Sequence, residues 1–258
     1  LGNGNFLSQL SKKKIVFNFR KNDIENGGEG APLTPIFHKY LVISKKIELP
    51  VCILNIGGIS NLTLIHSFKN HEILSQDVGP GNCLINSWIQ SHTKEKFDKG
   101  GKVSNRGKIN ELILEQSLET HEHNFKKKDN ISLDTNDFDI SFARGLNLED
   151  GAATLTAFSA KIITSKINFL LKDYEKKNVK IIICGGGRKN ISLIKQIKLN
   201  SKKNLSFYNS EDYGLNGDFI ESQAFGYIAI RSILSLPISF PLTTGCSAPC
   251  TGGVLVKI

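Results

Sequence analysis

The sequence has no methionine, one tryptophan and no CxxC cysteine pair among its 258 residues. A natural chain starts with methionine, so its absence at position 1 predicts a processed product or a fragment. We expect a fragment, because the opening LGNGNFLSQL places Gly-Asn turn residues between apolar positions, a pattern typical of the middle of a hairpin. No run approaches the roughly 20 apolar residues of a membrane-spanning helix, and no signal-peptide pattern is present.

Cysteine is sparse and odd in number. Cys52, Cys83 and Cys184 lie in or beside apolar stretches, where free cysteine behaves as a small hydrophobic residue. Cys246 and Cys250 flank a turn that could hold a metal or a disulfide, but no further ligands accompany them. The pattern therefore predicts no metal site and a reducing, cytoplasmic location.

Basic residues outnumber acidic ones. The sequence has 33 Lys and Arg against 24 Asp and Glu, which gives a net charge of +9. A nucleic-acid-binding surface usually concentrates its basic residues on one face. Here the lysines are scattered in short runs at 12–14, 126–128, 176–177 and 202–203. We therefore expect solvated surfaces, with no nucleic-acid or membrane partner.

Strand and helix patterns alternate along the chain, which is typical of α/β architecture. Apolar, β-branched runs predict strands at 14–19, 51–56, 61–68, 179–184 and 205–208. Helices are predicted at 82–93, 107–119, 150–177, 189–200 and 217–235. The polar segment 121–139 is interpreted as a surface loop, because His121 and His123 lack the further ligands that zinc needs.

Three glycine-rich turns, at 27–30, 57–58 and 185–187, carry the first functional signal. Glycine lets the backbone approach a phosphate or a nucleobase closely. None of the turns matches the GxxxxGK[ST] or GxGxxG motifs, so each alone is weak evidence. The second and third turns follow apolar strands, and ligands of α/β sheets bind at the carboxyl ends of strands. Together they favour a nucleotide site for phosphoryl transfer.

Two carboxylates stand out beside these turns. Asp77 precedes GPGN, which should open the helix at 82–93 with Asn82 at or near its N-cap. Glu221 lies among apolar residues of the helix predicted at 217–235. Either could be structural, Asp77 as a turn residue and Glu221 as a solvated helix position. The functional alternative is a carboxylate that accepts a proton from the attacking group.

Several stretches together resemble the anhydro-N-acetylmuramic acid kinase family, in family order over essentially the whole chain. The strings FRxxDxxxGGxGAPLxP and LNIGGISN…DVGPGN are specific as a pair. The matching stretches are 19-FRKNDIENGGEGAPLTPIFH-38, 54-LNIGGISNLT-63, 77-DVGPGN-82, 149-EDGAATLTAFSA-160, 183-ICGGGRKN-190, 221-ESQAFGYIAIR-231 and 241-PLTTGCSAP-249.

The resemblance implies an actin-like ATPase fold, of the ribonuclease H-like type, with a mixed sheet flanked by helices. It implies a cytoplasmic transferase of amino-sugar metabolism and cell-wall peptidoglycan recycling. Such a kinase opens 1,6-anhydro-N-acetylmuramic acid with water and phosphorylates O6, giving N-acetylmuramic acid 6-phosphate and ADP. ATP and Mg²⁺ are the implied cofactors.

The resemblance also implies roles for particular residues. Asp77 is the implied base that activates water. The implied sugar-binding residues are Glu221, Arg20, Asp23, Gly27 and Gly28. The implied ATP-binding residues are Gly57, Gly58, Asn61, Gly79, Gly81, Asn82, Gly185, Gly186 and Gly187.

The sequence departs from the family pattern at its beginning, where the glycine- and serine-rich first phosphate loop is missing. We therefore expect the first lobe to be largely absent and the chain alone to have little or no kinase activity. The expected domains are a first-lobe remnant at 1–35, a second lobe at 36–215 that binds nucleotide and substrate, and a C-terminal helix and tail at 216–258.

Three alternatives stay open at this point. The chain could be another sugar kinase of the actin-like superfamily, although such enzymes lack the combination of Asp77, Glu221 and the FRKNDIENGGEGAPL string. It could be a non-catalytic nucleotide-binding remnant. It could also be a basic nucleic-acid-binding domain, although no sequence motif supports this last alternative. The expected partners are the sugar and ATP, and a homodimer is left open.

Overall fold

The structure, a computed structural model, describes residues 2–125 and 132–256. The lysine run at 126–128 lies outside these residues. The chain forms two compact units: unit 1 comprises residues 1–51, 63–76 and 219–258, and unit 2 comprises residues 52–62 and 77–218. Each unit is described by itself. In the described part of the chain, no helix has the length and apolar character needed to cross a membrane.

Helices and strands alternate along most of the chain. The helices are α1 (Gly4–Ser11), α2 (Lys21–Glu25), α3 (Pro35–Ser44), α4 (Cys83–His92), α5 (Glu111–Phe125), α6 (Leu148–Leu170), α7 (Ile191–Asn200), α8 (Ile220–Ile233) and α9 (Pro241–Thr244). The strands are β1 (Ile15–Phe17), β2 (Val51–Ile56), β3 (Ile59–Ile65), β4 (Leu74–Pro80), β5 (Val179–Cys184), β6 (Leu205–Asn209) and β7 (Val254–Val256).

The main sheet has five strands in the order β4-β3-β2-β5-β6. β5 and β6 pair in parallel, from Val179 opposite Leu205 to Ile183 opposite Asn209. β2 and β3 are neighbours joined by only two residues, a connection that makes strands antiparallel. The sheet is therefore mixed, and the predicted α/β class with a mixed sheet is confirmed.

The core of unit 2 is built by β2, β5 and the long helix α6. All four residues from Ile181 to Cys184 are at most 1% exposed, which explains why β5 is a continuous apolar run rather than an alternating one. Asn147 starts α6, because its side-chain oxygen accepts a hydrogen bond from the Asp150 N–H. Trp88 of α4 is buried and donates to the Leu148 carbonyl at 2.9 Å, which joins α4 to α6.

Unit 1 contains a small second sheet and two packed helices. β1 and β7 pair antiparallel, with Val16 opposite Leu255. α3 packs against α8, where Tyr227 stacks on Tyr40 with ring centroids 5.1 Å apart. α3 also buries His38, whose Nδ1 lies 2.8 Å from the Thr63 hydroxyl. Burial lowers the pKa of His38 to about 4.

Most of the predicted elements are present, and two of the strands, at 51–56 and 179–184, match residue for residue. The hairpin predicted for the first residues is wrong, because Asn3 caps a helix there by accepting from the Phe6 N–H. The loop predicted at 121–139 is partly wrong, because α5 continues to Phe125. The helix predicted at 150–177 ends earlier, and Lys172 begins a short 3₁₀ turn.

Strand β4 is the most consequential element that the sequence patterns missed. Glycine and proline at its end suggested a turn, and its alternating pattern is short. Asp77 nevertheless lies inside the strand rather than on a turn. Gly79 has φ +140°, and a Cβ there would lie 2.7 Å from Ile162 Cγ2. A side chain at residue 79 would therefore push β4 away from α6.

Two helical glycines should respond to alanine substitution with opposite signs. A Cβ on Gly151 of α6 would lie 2.1 Å from the Trp88 ring, whereas a Cβ on Gly226 of α8 would meet nothing within 4 Å. Gly151→Ala should destabilise the protein by about 1–3 kcal/mol through overpacking. Gly226→Ala should stabilise it by about 0.5–1 kcal/mol. Thermal denaturation measures both, and equal effects would contradict this packing.

His38 should make stability fall as the solution is acidified. Its folded pKa of about 4 lies below the ordinary value of 6.5, so the unfolded chain binds more protons between these two pH values. Stability should therefore be full above about pH 6.5 and drop by about 2 kcal/mol towards about pH 4.5. Urea unfolding of the wild type and His38→Gln at both pH values tests this. A pH dependence that is identical in the two proteins would show that His38 is not its source.

Candidate active site

Asp77 lies on β4, in the part of the strand that belongs to unit 2, with its side chain half-buried. Its Oδ2 accepts a hydrogen bond from the Leu133 N–H at 2.7 Å. A hydrogen bond from a backbone N–H fixes a carboxylate in orientation. Asp77 is thus a partly accessible carboxylate of fixed orientation, four residues before the tight turn that begins at Gly81.

That turn is bonded directly to the turn between β2 and β3. The N–H groups of Gly81 and Cys83 donate to the Gly58 carbonyl at 2.8 and 3.2 Å, and the Asn82 N–H donates to the Gly57 carbonyl at 2.9 Å. A Cβ on Gly81 would lie 2.4 Å from the Gly57 oxygen. Glycine at residue 81 is therefore what allows the two turns to meet.

Asn82 starts α4, as the sequence predicts, but its side chain does not cap that helix. Its Nδ2 instead donates to the Gly57 carbonyl at 3.2 Å. Ser60 Oγ lies beside this junction, 2.9 Å from the position that a Cβ on Gly81 would take. Ser60 Oγ and Asn61 Oδ1 are both buried and lack a hydrogen-bond partner within the described part of the chain. A buried polar atom without a partner is costly, so a polar ligand group or water that reached Ser60 Oγ would be stabilising.

The third turn, Gly185–Gly187, follows β5 and packs beside the β2 end. A Cβ on Gly185, which has φ +79°, would lie 2.5 Å from Asn55 Oδ1, and a Cβ on Gly187 would lie 2.2 Å from Ile56 Cγ2. Gly186 is exposed and a Cβ there would meet nothing within 4 Å. The turn therefore offers open backbone at one residue and tight packing on either side.

Arg188 anchors this turn to the segment after β6, and sequence patterns did not single it out. Its side chain is only 8% exposed. Nη1 donates to the Gly185 carbonyl at 2.9 Å and to Asp218 Oδ1 at 2.8 Å, while Nε and Nη2 donate to Glu211 Oε1 at 2.9 and 2.6 Å. The hydrogen bonds from Arg188 hold the pKa of Glu211 at about 2 and that of Asp218 at about 2. All three groups therefore stay charged at neutral pH.

Glu221 and Arg20 belong to unit 1, whereas Asp77 belongs to unit 2. Glu221 is exposed in the first turn of α8, where a negative charge is stabilised by the helix dipole. Arg20 is exposed at the start of α2 and borders an open depression of about 850 Å³. The other lining residues of that depression are Gly2, Val16, Phe17, Asn18, Phe19 and Phe225.

Asp23 lies in the interior of unit 1, with no exposed surface. Its Oδ2 accepts from the Gly30 N–H at 2.7 Å and its Oδ1 accepts from the Thr244 hydroxyl at 2.6 Å. A Cβ on Gly28 would lie 2.3 Å from the Asp23 carboxylate, whereas Gly27, with φ +84°, faces open space. Asp23 thus fixes the conformation of the 27–30 loop, through its hydrogen bond with Gly30 and its close contact with Gly28.

The same carboxylate approaches two cysteines. Asp23, Cys246 and Cys250 are buried, with one ligand atom from each lying within 4.8 Å of the others. Only the fold could reveal this group, because Asp23 lies more than 220 residues before the two cysteines. Burial raises the pKa of Cys250 to about 11, and its Sγ donates to the Ala248 carbonyl at 3.0 Å. Zinc needs thiolates, so the group as it stands is a packed thiol and carboxylate cluster.

A family model described as anhydro-N-acetylmuramic acid kinase matches residues 1–257. The anhydro-N-acetylmuramic acid kinase of Pelagibacter ubique is 52% identical over 257 residues, which cover 100% of this chain and 68% of that protein. The enzyme of the same name from Zymomonas mobilis is 37% identical over 253 residues, covering 98% and 66%. The chain thus spans about two thirds of the length of these relatives.

Among solved structures, the chain is similar to the activator of 2-hydroxyisocaproyl-CoA dehydratase from Clostridium difficile with bound ADPNP. The TM-score is 0.40 at 12% sequence identity, and the match covers 75% of this chain and 67% of that one.

The junction of the two turns should tolerate a methyl group at Gly58 but not at Gly81. The nearest atom to a Cβ on Gly58 is 3.6 Å away, an ordinary contact, whereas Gly81 would collide with Gly57 and Ser60. Gly81→Ala should destabilise the protein by about 1–3 kcal/mol, because the turns must separate. Gly58→Ala should change stability by less than about 1 kcal/mol. Thermal denaturation decides, and a Gly81→Ala protein as stable as wild type would contradict the junction.

Proposed function

The chain belongs to the anhydro-N-acetylmuramic acid kinase family, and on that premise we propose that its protein opens 1,6-anhydro-N-acetylmuramic acid and phosphorylates O6. The products are N-acetylmuramic acid 6-phosphate and ADP, a reaction of peptidoglycan recycling in the cytoplasm. The observation that carries the proposal is Asp77, a half-buried carboxylate oriented by the Leu133 N–H beside the bonded glycine turns.

Asp77 acts as the general base. Its carboxylate accepts a proton from water, and the water oxygen bonds to the anomeric carbon as the bond from that carbon to O6 breaks. General-base catalysis requires a carboxylate in a fixed direction within hydrogen-bond reach of its proton donor. The bond from the Leu133 N–H provides that direction, and β4 provides a rigid support.

The glycine turns of unit 2 fit a nucleotide. A Cβ on Gly58 would meet nothing closer than 3.6 Å, and a Cβ on Gly186 would meet nothing within 4 Å, so both positions leave room for a ligand. The buried, unpartnered Ser60 Oγ follows the first of these turns. We assign the turn at 57–58 to phosphate and the turn at 185–187 to adenosine, with Gly79, Gly81 and Asn82 shaping the junction between β4 and the first turn. When bound, ATP supplies the phosphoryl group that O6 receives.

Mg²⁺ is part of the proposal, because phosphoryl transfer depends on cations that neutralise the phosphate oxygens. Mg²⁺ prefers oxygen ligands and is often held by one or two carboxylates together with the substrate's phosphates. The Asp23, Cys246 and Cys250 cluster offers two sulfur atoms and therefore does not suit it. We place the ion with the phosphates.

For the sugar, we propose that Glu221 and Arg20 provide contacts, since both side chains are exposed. The planar guanidinium of Arg20 suits a carboxylate such as that of the muramic acid lactyl group. Asp23, Gly27 and Gly28 contribute through the shape of the 27–30 loop.

For the domains, we propose the division expected from the sequence: a first-lobe remnant at 1–35, a main lobe at 36–215 and a C-terminal part at 216–258.

The decisive test is Asp77→Asn in the full-length protein. Asparagine keeps the size of the side chain and an oxygen that can accept from Leu133, but it is a far weaker base than a carboxylate. Formation of N-acetylmuramic acid 6-phosphate should fall by about 10²–10⁴-fold, measured by chromatography with the anhydro sugar and ATP. The matched control is Asp173→Asn, an exposed carboxylate of unit 2, which should keep wild-type turnover. Near-normal turnover by Asp77→Asn would show that another group is the base.

A further inference from the structure

The Arg188 side chain makes more hydrogen bonds than an ordinary ion pair on the protein surface. Exposed ion pairs contribute little, because water screens them. Arg188 is different, since its side chain is only 8% exposed and its guanidinium contacts two carboxylates and a backbone carbonyl. Hydrogen bonds from a guanidinium to carboxylates are charge-assisted and roughly twice as strong as those between neutral groups. The arrangement therefore acts as a clamp rather than as a surface pair.

The clamp joins the 185–187 turn to the segment that follows β6. Besides the Arg188 bonds, the Gly185 N–H donates to the Gly217 carbonyl at 3.3 Å, and the Gly217 N–H donates to Glu211 Oε1 at 3.2 Å. A Cβ on Gly217 would lie 2.5 Å from Arg188 Nε. Glycine at residue 217 is thus required for the guanidinium to lie against the backbone.

A run of three glycines needs such a clamp if it is to be a binding surface. Glycine loses more conformational freedom on ordering than any other residue, so a free turn would pay that entropy when a ligand binds. A turn already ordered by its own protein avoids this cost, which is the general origin of preorganisation. Gly186, the exposed member, begins a short 3₁₀ turn that runs to Lys189, so its position depends on Gly185 before it and on Arg188 within the same turn.

We propose that Arg188 is a positioning residue for nucleotide binding, which holds the 185–187 turn in its ligand-ready form by bonding Gly185, Glu211 and Asp218 at once. This inference rests on the proposed function, because it takes that turn as the adenosine contact. Arg188 acts through the turn and does not touch the reacting atoms. Its loss should weaken nucleotide binding without affecting the sugar.

The test is a titration of the full-length protein with the fluorescent nucleotide MANT-ADP. Arg188→Met keeps the length and packing of the side chain but removes the donors, and should raise the Kd about tenfold or more. Arg188→Lys, which keeps the charge without the fork, should recover only part of the affinity. The KM for ATP should rise in both, with the KM for the anhydro sugar unchanged. Arg106→Met, which removes an exposed ion pair to Glu149, should bind MANT-ADP like wild type.

Glu211→Gln provides a second route if Arg188→Met does not fold, because it weakens the same clamp from the other side. It should also raise the Kd, and its effect should not add to that of Arg188→Lys, since both act on one network. Lower thermal stability with an unchanged Kd and KM for ATP would assign Arg188 a purely structural role and overturn the inference, with the proposed function intact. Failure of the wild type to bind MANT-ADP would instead overturn the nucleotide site and the inference together.

Discussion

The bonded pair of turns at 57–58 and 81–83 is the constraint on which the geometry of unit 2 depends. The N–H groups of Gly81, Asn82 and Cys83 donate to the carbonyls of Gly57 and Gly58, so the N-cap and first N–H groups of α4 are satisfied by protein rather than by water. This fixes where β4 ends and α4 begins. Asp77, three residues before Pro80, takes its position from the same junction.

The junction also explains why the glycines of these turns have different roles. Residues 81 and 187 must be glycine because other parts of the protein occupy the space that a side chain would need. Gly58 and Gly186 leave their surroundings open, and these are the positions suited to a ligand. Glycine-rich motifs thus mix two physical roles, and the distances around each residue separate them. Arg188 adds charge-assisted hydrogen bonds to the 185–187 turn, which backbone contacts alone would hold weakly.

Much of the fold could be predicted from the sequence, because its signals are local and strong. The strands at 51–56 and 179–184 are apolar runs bounded by turn residues, and α6 repeats apolar residues with helical spacing. The chemical motifs around Asp77, Glu221 and the glycine turns were likewise readable as strings. Predictions failed where short elements carry little pattern, as in α1, and where a strand ends in glycine and proline, as in β4.

The sequence by itself determined the family, the α/β class and the residue types available for the chemistry, because these depend on local pattern and motif order. Only the tertiary structure decided which groups meet. It buried Asp23 beside Thr244, and it brought Arg188 to Glu211 and Asp218. It also directed the Asn82 side chain to Gly57 rather than to its own helix. These outcomes depend on contacts between residues distant in the chain, whose partners are set by packing and burial.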